Sequence, residues 1–519
     1  MKKIKVFALL ATLFVGIFSN LFTPVVSAED TSDSATVTIH KLKNKTGPIV
    51  NTGKELSGLT ASDFLDGITF DVYDVTAAYH TKYNEAYTST TAQAADDTAR
   101  ADVQGTAGHA PTVSGATLVD TETTAGGGAA TFTLPKKSGG KDAVYVFVEQ
   151  PKTGISKAEN NLVLSFPVYQ LNDDGTYTDI ELSAIHLYPK NTTETITPVK
   201  DITTPNADAA GHNNYNVGKE IGFKLSTLIP ANIGIKEVDG VTPHYNTFGL
   251  IDTHDTTLTF NPAGTHELKV AETSIVLTEG ETADYTIVVG EPAVEGKDTF
   301  KVKLTQEGIN KLAEQGGKTL EFTYTMKLNA QAVMDEKNVN KVTVEYGRKT
   351  DTFNDVVTTP GNEKEVYTGG YRFIKTDVST NKPLANAEFV VRDAASAGKY
   401  LKIDDTTKEI SWVDSYDTAT KFTTGTDGIV DIKGLTYGTY YLEETKAPTD
   451  YVKLTERIAF TVAFDSYKTT TTTPHNVANT PKGFLPSTGG AGIILFVALG
   501  VAMVGLAGVY FTSRRKDAQ

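Results

Sequence analysis

The 519-residue chain has no cysteine and one tryptophan, so whatever holds it together, disulfides do not. Basic residues are outnumbered: 48 Lys and Arg stand against 63 Asp and Glu, for a net charge of −15. No basic patch is visible, which argues against a nucleic-acid partner. The nine histidines show no HExxH or other tight metal-ligand spacing, and no nucleophile elbow or nucleotide fingerprint occurs. Gly290 to Lys297 approaches a phosphate loop but has one residue too many between its glycines, and Asp298 stands where Ser or Thr is needed. Asp30-Thr31-Ser32-Asp33-Ser34 fits the string DxSxS by chance, because no buried strand precedes it to aim its oxygens. The expectation is a protein without metal or cofactor and without an enzymatic activity on external substrates.

Long apolar runs stand at the two ends. Lys2, Lys3 and Lys5 precede an apolar stretch from Val6 to Phe22, and Val26-Ser27-Ala28 offers the small residues of a cleavage site. That pattern reads as a signal peptide over 1–28, with the mature chain beginning near Glu29. At the other end Leu485-Pro486-Ser487-Thr488-Gly489 is followed by an apolar run from Ala491 to Phe511 and by Arg514-Arg515-Lys516. About 20 apolar residues suffice to cross a bilayer, and a basic cluster behind them stays cytoplasmic, which holds the pentapeptide just outside the membrane. The arrangement resembles the cell-wall sorting signal of Gram-positive surface proteins, the substrate of a sortase, which in that family cuts between the positions matching Thr488 and Gly489.

Roughly 460 residues lie between the two signals, enough for about three domains. Short alternating runs recur, among them Ala35 to His40, Thr131 to Leu134, Val342 to Tyr346 and Ile458 to Val462. Period-two alternation separated by turn residues predicts antiparallel β-sandwiches. One helix stands out from Thr305 to Gln315, with Ile309 and Leu312 on one face and Gly316-Gly317 as its stop. Pro-containing segments from Pro189 to Pro198 and from Thr358 to Gly370 are read as linkers. They divide the chain into an N-terminal domain over 29–191, a middle domain over 192–362, a C-terminal domain over 363–484 and the sorting signal over 485–519. The threonine run Thr469 to Thr473 before Pro474 is expected to form an exposed strand or loop.

The first and third segments repeat one pattern. The first has Lys41, Phe70 to Asp74, Gly128 and Tyr145-Val146-Phe147-Val148-Glu149; the third has Lys375, Phe389 to Asp393, Gly428 and Tyr440-Tyr441-Leu442-Glu443-Glu444. One fold is used twice, with long insertions in the first copy. In each copy a Lys lies in an apolar first strand and a Glu in an aromatic late strand. Desolvation lowers the amine pKa and raises that of the carboxyl, so the expected pair is a neutral amine with a protonated acid. Each copy ends on a strand carrying an Asn, Asn191 or Asn479. A neutral amine can attack an Asn carboxamide while a protonated Glu polarises the carbonyl and shuttles protons as ammonia leaves. For the first copy a surface Lys beside a salt-bridged Glu is the alternative reading.

The segment Tyr440 to Tyr451 resembles the E-box, YxLxETxAPxGY, of the B-type domains named after a collagen adhesin, with Asp450 where Gly is usual. The resemblance implies a Lys375–Asn479 isopeptide bond with Glu444 catalytic; Asn476 is the rival acceptor. The first copy keeps Tyr145, Phe147 and Glu149 of the box but has Gln150 in place of Thr, which leaves Lys41, Asn191 and Glu149 as its candidate set. The middle segment is similar to the A-type relatives, in which an Asp replaces the Glu, and this similarity implies Lys200, Asn340 and Asp252.

His186-Leu187-Tyr188-Pro189-Lys190-Asn191 contains the YPK core of the pilin motif, whose Lys is the nucleophile joined by a pilus-specific sortase to the LPxTG Thr of another subunit. The whole pattern resembles the backbone pilins of Gram-positive sortase-assembled pili. It implies three tandem immunoglobulin-like β-sandwich domains in an elongated array, and Lys190 and Thr488 as the linkage residues. The implied partners are further copies of the chain, minor pilins, pilus-specific and housekeeping sortases, and peptidoglycan. A monomeric sortase-anchored wall adhesin that binds a host ligand is the alternative.

Overall fold

The structure is a computed structural model and describes residues 33–171, 176–483 and 491–516. The signal peptide over 1–28 and the pentapeptide from Leu485 to Gly489, Thr488 included, lie outside them. Two compact units result, one reaching Ala332 and including Glu336–Tyr367, the other made of Val333–Asp335 and the chain from Thr368 onward. Both are built of β-sheets. The expected alternating runs are strands: Ser34–His40, Ala129–Pro135, Asn338–Gly347 and Ile458–Val462.

The repeat is visible in the hydrogen bonds. Ser34–His40 pairs antiparallel with Ala129–Pro135 and parallel with Ala184–Leu187; Gly369–Asp377 pairs antiparallel with Ile429–Leu435 and parallel with His475–Asn479. Opposite them, Phe70 pairs with Glu149 in one copy and Phe389 with Glu444 in the other. Lys41 donates its backbone N–H to Gly128 at 2.7 Å, and Lys375 donates its own to Gly428 at 2.8 Å. Both glycines have φ near +70°, and a Cβ on either would come within 2.7 or 2.5 Å of the carbonyl oxygen of the respective lysine. The repeated glycine therefore seats the repeated lysine, and no L side chain fits there.

The insertion in the first copy contains two helices the alternation did not signal, Thr76–Tyr87 and Ala92–Gln104. They explain why Val144–Glu149 is buried at every position. Tyr145 and Phe147 face the sandwich core, whereas Val144, Val146 and Val148 pack with Tyr79, Ala99 and Val103 of the helices. The third copy lacks this cover, and its strand Gly438–Lys446 alternates. In the middle segment two six-stranded sheets carry the core. The expected helix there is shorter than its apolar pattern, Gln306–Lys311, capped by the Thr305 side chain and anchored by buried Ile309 and Leu312.

Three expectations are corrected. The segment from Thr358 to Gly370 is not a linker but falls mainly within the strand Val357–Tyr367, where Pro360 sits beside a register shift opposite Thr343; an irregular pairing tolerates the missing N–H. Of Pro189 to Pro198, the part Lys190–Thr193 is likewise a strand. The threonine run is mostly helical, Ser466–Thr472. Asp335 accepts the N–H groups of Tyr467 and Lys468 at 2.8 and 3.0 Å, and Thr470 Oγ1 donates back to Ser466. This tertiary cap overrides the weak helix propensity of threonine. The last described element is the helix Ala491–Lys516, and among the described residues no helix is long and apolar enough to cross a membrane; the span over 491–511 therefore rests on the sequence.

The glycine seat makes a prediction. Gly428→Ala combines a left-handed backbone with a clash against the Lys375 carbonyl, and should destabilise the C-terminal unit by about 1–3 kcal/mol, read as a lower melting temperature. An unchanged melting temperature would show that the Lys375 strand can shift to accept a methyl group.

Candidate functional site

Three buried clusters each combine a lysine, an acid and an asparagine. In the C-terminal unit Lys375 and Asn479 lie on adjacent parallel strands, with Asp377 opposite Asn479 and Lys375 opposite Val477. Period two then puts Lys375, Val477 and Asn479 on one face. The Lys375 ammonium nitrogen bonds Asn479 Oδ1 and, at 2.9 Å, the Val477 carbonyl. Asn479 Nδ2 donates to both Glu444 oxygens at 2.9 and 3.2 Å, and Glu444 Oε1 lies 3.8 Å from Lys375 Nζ. Glu444 also accepts the Leu454 N–H at 2.7 Å. Asn476 occupies the opposite face, is exposed, and accepts from Thr376. Asp450, at the family's Gly position, has φ 68° in the turn after Pro448, the conformation that Gly usually supplies and Asp tolerates.

The first copy keeps that register, because Lys43, two residues beyond Lys41, pairs with Asn191. Lys41 Nζ lies 2.5 Å from Glu149 Oε2, and Asn191 Nδ2 donates to Glu149 Oε1 at 2.5 Å. Asn191 Oδ1 is buried without a hydrogen-bond partner. Lys41 is fully buried, and Glu149 and Asn191 nearly so.

In the middle segment the lysine and the asparagine come from different sheets. Lys200 is on Val199–Ile202 of one sheet, Asp252 and Asn340 on the paired strands Thr247–Asp255 and Asn338–Gly347 of the other. Lys200 Nζ lies 2.5 Å from Asp252 Oδ2. Two residues that the sequence reading missed complete the cluster. Tyr324 Oη accepts from Lys200 Nζ at 2.8 Å and donates to Asp252 Oδ2, and His254 Nδ1 is 2.7 Å from Asp252 Oδ1. His254 was findable, being two positions from Asp252 on an alternating strand; Tyr324, 72 residues from Asp252, was not.

Burial dominates the electrostatics. It pushes the Lys41 amine below its ordinary value against the pull of Glu149, and takes Lys200 and Lys375 down to about 8. At that value roughly a tenth of the amines are unprotonated at pH 7, against roughly one in three thousand for an ordinary lysine. The middle acid is shifted toward its ionised form. Burial would raise Asp252, but the Lys200 charge and the His254 contacts outweigh it and hold the carboxyl below its usual range.

Lys190 contrasts with its neighbour. On Lys190–Thr193 the Asn191 side chain is buried and that of Lys190 is partly exposed, its ammonium donating to the Gly47 carbonyl at 2.6 Å. Tyr188, before it, is buried, stacked on His40 with ring centroids 4.7 Å apart, and accepts the Leu56 N–H. The YPK tripeptide is thus held by its tyrosine while its lysine faces outward. Among the described residues no group of three or more His, Asp or Glu is arranged to hold a metal ion.

Comparison with known proteins gives the class. Residues 32–192 match the Gram-positive pilin subunit D1 N-terminal domain, residues 369–476 a prealbumin-like fold domain, and residues 479–518 the LPXTG cell wall anchor motif. The full-length RrgB pilus protein of Streptococcus pneumoniae is 18% identical with a TM-score of 0.56, over 88% of this chain and 99% of that one. The full-length major pilin SpaD of Corynebacterium diphtheriae is 22% identical over 88% of this chain and 100% of that one, with a TM-score of 0.43. The 35 kDa C-terminal fragment of the major pilin GBS80 of Streptococcus agalactiae is 26% identical over 55% of this chain and 100% of that fragment, with a TM-score of 0.43. No curated protein matches the chain significantly. With a pilin domain at one end and a wall-anchor motif at the other, the chain is a Gram-positive surface protein anchored to the cell wall. The pilin domain and the anchor motif together support a subunit of a pilus.

The depressed Lys375 amine makes a prediction that can be read in Asn479→Ala, which removes its carboxamide neighbour. Its folded pKa of about 8 lies below the ordinary 10.5, so folding expels a proton between those values and stability should rise as pH climbs from about 8 to 10.5. Chemical denaturation at a series of pH values reads this directly. A flat profile would mean that Lys375 remains solvated.

Proposed function

We propose that the chain is the repeating backbone subunit of a covalent pilus. Its three sandwich domains, over 29–191, 192–362 and 363–484, are each closed by an intramolecular Lys–Asn isopeptide bond: Lys41–Asn191 with Glu149, Lys200–Asn340 with Asp252, and Lys375–Asn479 with Glu444. The acyl group of Thr488 in one subunit is transferred by a pilus-specific sortase to Lys190 of the next, and a housekeeping sortase passes the polymer to peptidoglycan. The observation that carries the reading is the strand Lys190–Thr193, which presents one nucleophile outward and one acceptor inward at consecutive positions. Minor pilins join the same fibre through the same chemistry.

A cross-link between first and last strands closes a long loop, 104 residues for Lys375 and Asn479. By the chain-entropy estimate for a disulfide it would contribute about 5 kcal/mol. Its mechanical role is larger. Force applied along a fibre one subunit wide passes through the bonded strands, so the sandwich cannot unzip at its unfolding rate while the bond holds. The bond is indifferent to reductants, which suits a chain without cysteine.

Lys190→Ala should leave a folded, wall-attached monomer, and immunoblots of wall extracts should lose the ladder of high-mass species. Ladders at wild-type intensity would refute Lys190; a single band in the wild type would favour the monomeric adhesin. The intact mass should fall short of the sequence mass by one ammonia per bond, and Glu444→Ala should restore one ammonia and lower the melting temperature. A full sequence mass in the wild type would reduce the three clusters to buried ion pairs.

A further inference from the structure

The acids of the three clusters reach their asparagines differently. Glu149 and Glu444 hydrogen-bond the Asn191 and Asn479 amide nitrogens directly. Asp252, one methylene shorter, makes no hydrogen bond to Asn340 among the described residues: Oδ1 is held by His254, and Oδ2 meets Lys200 and Tyr324. The Tyr324 hydroxyl fills the gap. It contacts Lys200 Nζ at 2.8 Å, Asp252 Oδ2, and Asn340 Nδ2 at 3.4 Å, so it touches the attacking nitrogen, the acid and the leaving nitrogen. Asn340 Nδ2 has one other contact, the Met326 sulfur at 3.1 Å, a weak acceptor. The Tyr324 ring is locked between Phe223, Phe322 and Phe300 at centroid distances of 5.8, 5.3 and 5.1 Å, which leaves the hydroxyl little freedom to point elsewhere.

We infer that Tyr324 is a catalytic residue of the middle-domain cross-link, relaying the proton that releases ammonia; this rests on the isopeptide reading above. Lys200, starting as an ammonium beside an ionised Asp252, gives one proton to that carboxylate. The neutral amine attacks Asn340 Cγ, forming the C–N bond. Tyr324 passes its hydroxyl proton to Asn340 Nδ2 and takes a proton from the former Lys200 amine. The Cγ–Nδ2 bond then breaks and ammonia leaves, accepting the proton held by Asp252 as it departs as ammonium. The ammonium charge of Lys200 thus leaves on ammonia, and Asp252 and Tyr324 return to their starting states.

The test is the rate of formation of the Lys200–Asn340 cross-link. The full chain is synthesised cell-free, quenched in acid at intervals and digested, and the cross-linked peptides are quantified by mass. Tyr324→Phe keeps the ring and removes the hydroxyl; it should slow this bond by about 100-fold or more, the usual scale of a lost acid–base group, and leave Lys41–Asn191 and Lys375–Asn479 at wild-type rates. Formation of the middle bond within about 3-fold of wild type would overturn the role of Tyr324. Absence of the middle cross-link from the wild type would instead overturn the isopeptide reading for this domain. A second chain carries 3-fluorotyrosine at position 324, more acidic but nearly isosteric, and separates chemistry from packing. Its rate–pH profile should move to lower pH, whereas an unmoved profile would leave Tyr324 as a packing residue. Should Tyr324→Phe fail to fold, the fluorinated chain decides alone.

Discussion

Burial of a lysine ammonium beside a single carboxylate is the constraint on which the rest depends. Removing a charge from water is costly, and a buried ion pair recovers that cost only with excellent geometry; an apolar pair of equal volume is often as stable. Lys41, Lys200 and Lys375 are all essentially inaccessible. The same desolvation that penalises the ammonium lowers its pKa, which is what the proposed attack on an asparagine requires. In the proposed function the core is both a structural interior and a reaction chamber.

The surrounding elements serve that chamber. Gly128 and Gly428 admit the lysine backbone at its turn, and the parallel pairing of first and last strands brings lysine and asparagine to one face two residues apart in register. In the first copy the helices over Val144, Val146 and Val148 keep water from the outer side of the Glu149 strand. Glu149 and Glu444 bond the amide directly, so the proposed reaction asks one side chain for both proton chemistry and positioning. In the middle segment the proposal divides those tasks between Asp252 and Tyr324, with His254 against Asp252 Oδ1.

In the N-terminal domain alternation alone separates the two proposed linkage residues on one strand. Asn191 points into the sandwich beside Glu149, and Lys190, next to it, turns toward solvent. The tyrosine before the proline is pinned by His40 and Leu56, so the outward lysine stands on a rigid base.

By itself the sequence determined the strands, the repeat, the wall-anchor motif and the presence of lysines and acids on buried faces, because period-two alternation and turn residues are local and each strand reports its own burial. It was blind where long-range contacts decide the outcome. The threonine run became a helix because Asp335 caps it from far away in the chain, and the proline segment after Thr358 became a strand because an irregular pairing spared its missing donor. The small alanines of Ala92–Gln104 hid a helix whose packing only the folded Val144–Glu149 strand reveals. The tertiary structure alone brought Tyr324 to Lys200, Asp252 and Asn340, and separated inward Asn479 from outward Asn476. It alone also set the ionisation of Asp252, since the balance between desolvation and the Lys200 charge exists only once two sheets are packed together.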